Sequence, residues 1–152
     1  MVATVVRIQE MATLIQADSG ARELLTEILE EAQWWRTLVT LVKFLDARQV
    51  ETVRLEFGYV LGRDLAGHQQ ALDEIVQLND LEHVIRAGFD DGTIEWNRSS
   101  DFRFYPLGIE FAFMLCNDAD LHFASSDSAL LAEVAQTLRT SGVKVYDSIG
   151  PS

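Results

Sequence analysis

The hydrophobic period of the chain changes from helical to strand-like between Asp46 and Thr52, and this change limits the folds open to the chain. Before it, apolar residues recur at steps of three and four: Leu24, Leu25, Ile28, Leu29, Ala32, Trp35, Leu38, Val39, Val42 and Leu45. After it, apolar and other side chains alternate over residues 53–61. The first pattern indicates an amphipathic helix, and the second a strand with one buried face. The sequence therefore predicts an α+β chain.

Residues 1–48 are predicted to form the helical part of the chain. The apolar stripe predicts a long helix near residues 19–46, and a second helix is predicted over residues 5–17. Asp18 and Ser19 separate the two, because Asp and Ser commonly cap helix N-termini. This helical part is expected to pack on the sheet that follows it.

Residues 50–147 are predicted to form a mostly antiparallel sheet of about five or six strands with two further helices. Regular strand patterns cover residues 53–61, 93–97, 109–116, 120–125 and 143–146, and less regular extended segments cover residues 82–89 and 102–106. The two helices are predicted over residues 64–78 and 127–140. A chain of 152 residues has the usual size of one domain, so residues 1–152 are predicted to form a single domain.

Two segments of the chain share a short pattern. Residues 72–77 read Leu-Asp-Glu-Ile-Val-Gln, and residues 131–136 read Leu-Ala-Glu-Val-Ala-Gln. Each follows a Leu-x-Phe sequence, at residues 55–57 and 121–123. Two repeated strand–helix–strand units on one sheet would give a ferredoxin-like or related sandwich. Any two amphipathic helices can share such a pattern, so the alternative of no repeat stays open.

The last predicted unit, residues 120–146, resembles the opening strand–helix–strand unit of small-molecule-sensing ACT domains. The resemblance is carried by residues 130–135 (Leu-Leu-Ala-Glu-Val-Ala) and 141–145 (Ser-Gly-Val-Lys-Val), and the unit covers about a sixth of the chain. ACT domains place an Asp-x-x-Gly loop between strand and helix, whereas residues 125–128 read Ser-Ser-Asp-Ser. The resemblance implies a sensing function, but no ligand-binding residue carries over because the glycine is missing.

The chain is strongly acidic, with 24 acidic and 12 basic residues and a formal net charge of −12. Binding to nucleic acids or to anionic membranes needs clustered Lys and Arg, and the basic residues here are scattered singly. The composition therefore argues against nucleic-acid and membrane partners. It is compatible with a basic protein partner, although the need for solubility alone also explains the charge.

The sequence favours a cytoplasmic location. Cys116 is the single cysteine, so no disulfide can form within the chain and nothing indicates an oxidising compartment. Residues 1–10 lack the charged, apolar and small-residue order of a signal peptide. The apolar stretch 111–116 is far shorter than the roughly 20 residues that a membrane-spanning helix needs.

A polar cluster near a predicted hairpin is the candidate for chemistry. Asp118, Asp120 and His122 alternate along the start of a strand, which places them on one face at spacings of about 6–7 Å. Carboxylates and an imidazole can bind a divalent metal, or act as a general base and the group that orients it. Acidic residues at a hairpin tip are also ordinary solvated turn residues, and the spacing matches no known metal motif. No other motif predicts a cofactor.

Trp34 and Trp35 are adjacent on the long predicted helix. Adjacent side chains on a helix point about 100° apart, so one of the two is expected at the edge of the apolar stripe. Leu41 widens the apolar face in the same region. Because tryptophans at such edges favour interfaces, Trp34, Trp35 and Leu41 are predicted to form a binding surface, for example in a homodimer through this helix. The alternative is a wide buried face beneath the sheet.

Three functions are compatible with these features. The first is a non-enzymatic acidic module that binds or regulates a protein, in the manner of inhibitor or immunity proteins that neutralise basic toxins. The second is a small-molecule-sensing regulatory domain, which follows from the ACT resemblance. The third is a small metal-dependent hydrolase that uses the hairpin at residues 118–122. The sequence contains none of the common catalytic motifs, which favours the first function.

Overall fold

The structure, a computed structural model, describes residues 22–59, 72–91, 101–115 and 119–147. In chain order these residues form seven strands and three α-helices: β1 (Arg22–Thr26), α1 (Glu31–Ala47), β2 (Thr52–Tyr59), β3 (Leu72–Gln77), α2 (Leu81–Asp90), β4 (Asp101–Pro106), β5 (Ala112–Leu115), β6 (Leu121–Ser125), α3 (Ser128–Thr140) and β7 (Val145–Asp147). A short 3₁₀ helix at Leu78–Asp80 joins β3 to α2. The predicted α+β class is confirmed, and the described sheet has seven strands where about five or six were expected.

The seven strands form one open antiparallel sheet in the order β3-β2-β4-β5-β6-β1-β7. Although β1 comes first in the described chain, it lies between β6 and β7. Leu24 of β1 is paired with Phe123 on one side and with Asp147 on the other. Segments from opposite ends of the described chain therefore meet in the sheet.

One face of the sheet packs against the helices and forms the core, and we call it the helix-covered face. The strand residues on this face are apolar and almost completely buried: Leu24, Val53, Leu55, Phe104, Phe113, Leu115, Leu121 and Phe123. Phe104 stacks on Phe113 with 4.3 Å between the ring centroids. The helices supply the opposing layer of buried residues: Trp34, Leu38, Leu41 and Leu45 from α1, Leu81 and Ile85 from α2, and Leu130, Leu131, Val134 and Leu138 from α3.

The predicted long helix near residues 19–46 is wrong in its first part, and so is a wholly helical segment 1–48. Residues Arg22–Thr26 form strand β1, and the helix begins only at Glu31. Pairing of β1 with both β6 and β7 outweighs the helical spacing of its apolar residues, because strand formation depends on cross-strand neighbours that lie far away in sequence. Glu30 and Gln33 form a capping box that starts the helix. The helix predicted over residues 5–17 lies outside the described residues.

The predictions for residues 64–78 and 82–89 are also wrong where the structure describes them. Leu72–Gln77 is strand β3, which pairs residue by residue with β2, and Leu81–Asp90 is a helix whose buried residues are Leu81 and Ile85. The proposed repeat is therefore wrong, because one copy of the shared pattern is a strand and the other lies in helix α3. Residues 64–71 and the strand predicted at residues 93–97 lie outside the described residues.

The later part of the chain agrees best with the sequence. β2, β4, β6, α3 and β7 lie close to their predicted positions. Asp127 caps α3, since its carboxylate accepts a hydrogen bond of 3.1 Å from the backbone N–H of Leu130. The strand predicted from residue 109 begins only at Ala112, because residues 107–110 form a turn in which Gly108 has a φ of 85°. That the chain is a single domain stays a prediction.

Candidate functional site

The second face of the sheet carries polar side chains, and we call it the polar face. Strand alternation places on it the following residues: Arg54 and Glu56 from β2, Arg103 and Tyr105 from β4, Ala112 and Met114 from β5, His122 and Ala124 from β6, and Glu23 and Leu25 from β1. Direct cross-strand pairs run from Glu56 to Arg103, then to Met114, then to His122. Glu56 and Glu23 are only 2% and 7% exposed. Buried charged groups need partners, so the contacts of these residues identify the candidate site.

The first polar group, the Glu23–His122–Asp120 cluster, joins β1 to β6. His122 Nδ1 lies 3.1 Å from Oε2 of Glu23, and His122 Nε2 lies 3.1 Å from Oδ2 of Asp120. Glu23 is paired with Ala124, which makes it a diagonal neighbour of His122 on the same face. Thr26 at the end of β1 accepts a hydrogen bond of 3.0 Å from the backbone N–H of Leu121. The end of β1 thereby holds the start of β6, and with it the cluster, in place.

The hydrogen bonds of this cluster require an additional proton. A neutral imidazole has one N–H donor and one acceptor nitrogen, whereas an ionised carboxylate can only accept. Both ring nitrogens of His122 face carboxylate oxygens, so a neutral ring between two ionised carboxylates would leave two acceptors in contact. The geometry is satisfied when His122 donates from both ring nitrogens, one to each carboxylate.

The enclosure of the cluster limits the chemistry that it can perform. The side chains of Glu23, Asp120 and His122 are 10%, 13% and 19% exposed. Both nitrogens of His122 are engaged, so the ring cannot act as a general base without first breaking one of these contacts. Oδ1 of Asp120 is buried and has no hydrogen-bond partner among the described residues. The arrangement suits the linking of strands better than turnover of a substrate.

A second polar group lies on β2 and β4. The hydroxyl of Tyr105 donates a hydrogen bond of 2.9 Å to Oε1 of Glu56, and Oε2 of Glu56 lies 3.5 Å from a guanidinium nitrogen of Arg54. Burial of the phenol, followed by the charge of Glu56, raises the pKa of Tyr105 well above its ordinary value of 10.0. Tyr105 is therefore a hydrogen-bond donor to a buried carboxylate at any physiological pH.

The structure brings together two of the three predicted metal ligands, and it places beside them a carboxylate, Glu23, that the sequence did not indicate. Asp120 and His122 are in direct contact, as their spacing predicted, while Asp118 lies outside the described residues. Glu23 was missed because it appeared to lie on the polar side of a helix. Within the described residues, no group of three or more His, Cys, Asp or Glu side chains is arranged to hold a metal ion. A site that includes Asp118 stays a prediction.

The predicted binding surface on the first helix is placed mostly in the core. Trp34 and Leu41 are each 1% exposed, and Trp34 contacts the rings of Trp35 and Phe89. Trp35 is half-buried at the edge of the stripe, where the guanidinium of Arg86 lies 4.0 Å from its ring centroid. The helix geometry predicted that one of the two tryptophans would lie at the edge of the apolar stripe, and Trp35 does. Binding of a second copy through this helix stays a prediction, and Trp35 is the member of the set with exposed surface.

Comparison with known proteins identifies no relative for this chain. No family model, curated protein or solved structure matches it. None of the helices in the described residues combines the length and the apolar character needed to cross a membrane. A functional proposal therefore depends on the geometry and charge of the described residues.

Proposed function

We propose that the protein is a non-enzymatic acidic module that binds a basic protein partner along the β3 side of the sheet. The observation that carries this proposal is the composition of a terminal strand. β3 is the last strand on its side of the described sheet, and residues 72–80 contain three acidic residues and no Lys or Arg. This segment presents acidic residues at an accessible position of the described sheet.

The acidic edge, as we call this surface, consists of Glu51, Glu74, Ile75 and Asp80. The backbone N–H of Leu78 donates a hydrogen bond of 2.8 Å to the carbonyl oxygen of Glu51, which brings Glu51 beside the end of β3. All three carboxylates are exposed and form no ion pair with a described residue. Ile75 is 62% exposed, which is unusual for a large apolar residue in a strand. Glu74 is paired with Leu55 and Ile75 with Arg54, so the two side chains lie on opposite faces of the terminal strand. A strand that exposes a carboxylate on one face and an apolar side chain on the other suits contact with a basic and partly apolar partner.

The energetics favour an interaction made by several weak contacts. An exposed ion pair contributes about 0–1 kcal/mol, so no single carboxylate of the acidic edge would dominate the affinity. Such contacts weaken as salt is added, since the Debye length is about 8 Å at physiological ionic strength. Binding through the acidic edge should therefore depend strongly on ionic strength. In contrast, the enclosed Glu23–His122–Asp120 cluster offers little surface to a substrate, so we do not assign a hydrolytic function to it.

The proposal can be tested by capture of the partner on immobilised protein. The wild type, Glu74→Lys and Glu110→Lys are used as baits in a lysate of the native host, at low and at moderate salt. Glu110 is the matched control, because it is also exposed and unpaired among the described residues but lies in the turn between β4 and β5. Both variants change the net charge by the same amount, so only the position of the change differs.

The expected result is a basic protein that is retained by the wild type and by Glu110→Lys at low salt. It should be released as salt is raised and lost from Glu74→Lys. Equal retention by both charge-reversal variants would show that general acidity rather than the acidic edge is responsible. Retention that does not change with salt, or no basic protein on any bait, would contradict the proposal.

A further inference from the structure

The opposite side of the sheet has the reverse charge. Residues 139–146 contain Arg139 and Lys144 and no acidic residue, although the chain as a whole carries a net charge of −12. Asp147, which follows, is paired with Arg22 at 2.8 Å. This segment joins the end of α3 to β7, the terminal strand on this side of the described sheet. The positive charge is therefore local to residues 139–146.

A surface depression of about 370 Å³ lies at this position. It is lined by Arg139, Gly142, Val143, Lys144, Val145 and Tyr146. The guanidinium of Arg139 donates a hydrogen bond of 3.0 Å to the carbonyl oxygen of Val145, which holds the arginine across the depression. Tyr146 is 49% exposed, and its pairing with Leu25 places its side chain on the polar face of the sheet, whereas Arg139 reaches the depression from helix α3. The volume is within the range of about 300–1,000 Å³ found for small-molecule sites.

We propose that this depression binds a small organic dianion, a molecule with a phosphate or two carboxylates on a compact body. Two cations with separate donors match a doubly charged oxyanion group, since charge-assisted hydrogen bonds are the strong contacts for such groups. One guanidinium nitrogen of Arg139 donates a hydrogen bond to Val145. The other N–H groups of the same guanidinium can donate hydrogen bonds to a bound anion.

Glu27 on the neighbouring segment reduces the positive charge of the depression. Its carboxylate accepts a hydrogen bond of 3.1 Å from the backbone N–H of Lys144, so one carboxylate already lies beside the lysine. More distant acidic residues are screened beyond about 8 Å at physiological salt. With two cations and one carboxylate the depression keeps a net positive charge, and a dianion interacts with that charge about twice as strongly as a monoanion does.

The inference is tested by titrating the full chain with inorganic phosphate, adenosine monophosphate, succinate and uncharged adenosine, followed by backbone amide NMR. Lys144→Gln removes one cation of the depression, and Lys43→Gln is the control, because Lys43 is an exposed base on α1 away from the depression. Neither change removes a hydrogen bond of the described fold.

The expected result is saturable shifts of the amides of residues 142–146 with phosphate, adenosine monophosphate or succinate. These shifts should need roughly fivefold more ligand in Lys144→Gln, as expected for loss of one charge-assisted contact, and should be unchanged in Lys43→Gln. Amide shifts with uncharged adenosine that equal those with adenosine monophosphate would overturn the inference. So would equal binding by Lys144→Gln and the wild type, or no saturable shift with any of the dianions.

Discussion

On the helix-covered face of the sheet, Phe104, Phe113 and Phe123 are at most 1% exposed and belong to the hydrophobic core. On the polar face, Glu56 and Tyr105 are buried almost as completely, at 2% and 4% exposed, but they are joined by a hydrogen bond. The same sheet therefore buries two kinds of side chain by two kinds of interaction.

Apolar burial on one face and hydrogen-bonded polar burial on the other differ in their effect on specificity as much as in their effect on stability. Apolar burial is non-directional and contributes about 25 cal/mol per Å² removed from water, so many arrangements of phenylalanines would serve. A buried carboxylate or imidazole is tolerated only with a partner in the correct position. The pairs Glu23–His122 and Tyr105–Glu56 thus help to select the strand neighbours, whereas the aromatic layer contributes to stability through the burial of apolar surface.

The largest effect is expected from the helix-covered face. Phe113→Ala removes a fully buried ring that stacks on Phe104, and it should lower the free energy of unfolding by about 3–5 kcal/mol. Chemical denaturation followed by tryptophan fluorescence measures this change. The control is Ile75→Ala on the polar face, where the side chain is 62% exposed and the expected change is below about 1 kcal/mol. Similar losses in both variants would mean that the two faces do not differ in the way described.

A smaller loss is expected from the Glu23–His122–Asp120 cluster. His122→Ala leaves two carboxylates close together without the ring between them, and it should cost about 2–3 kcal/mol, below the range for a fully enclosed ion pair. His83→Ala, at an exposed position on α2, should change stability by less than about 0.5 kcal/mol.

The same cluster has a direct spectroscopic test. Nitrogen NMR of wild-type His122 should show both ring nitrogens held as hydrogen-bond donors to the two carboxylates. A ring that exchanges freely between tautomers would contradict the arrangement of this cluster.

The smallest of the three effects concerns Tyr105. Tyr105→Phe removes one donor from Glu56 and should cost about 1–2 kcal/mol at neutral pH. Because the folded-state pKa of Tyr105 is raised, its stabilising contribution is fully present below the unfolded value of 10.0 and is lost as the pH rises above it. The stability difference between wild type and Tyr105→Phe should therefore shrink above about pH 10. Tyr146→Phe, at a half-exposed position, should show no such difference at neutral pH.

The candidate site was only partly predictable from the sequence. Asp120 and His122 lie two residues apart on one strand, so alternation alone placed them together. Glu23 lies 99 residues from His122 in the chain and reaches it only because β1 pairs with β6. Likewise, no pattern within residues 52–59 or 101–106 indicated that Glu56 would meet Tyr105. Contacts between distant strands depend on strand order, which local patterns do not contain.

By itself the sequence determined the α+β class, helix α3 with its Asp127 cap, and the positions of β2, β4, β6 and β7, because these elements follow from local period and capping. The tertiary structure decided the states of β1, β3 and α2. Leu24, Leu25, Ile28 and Leu29 have helical spacing, and so does part of β3, yet residues 22–26 and 72–77 become strands because a neighbouring strand is available to each. Short apolar segments satisfy either period, so the partner that buries them makes the choice.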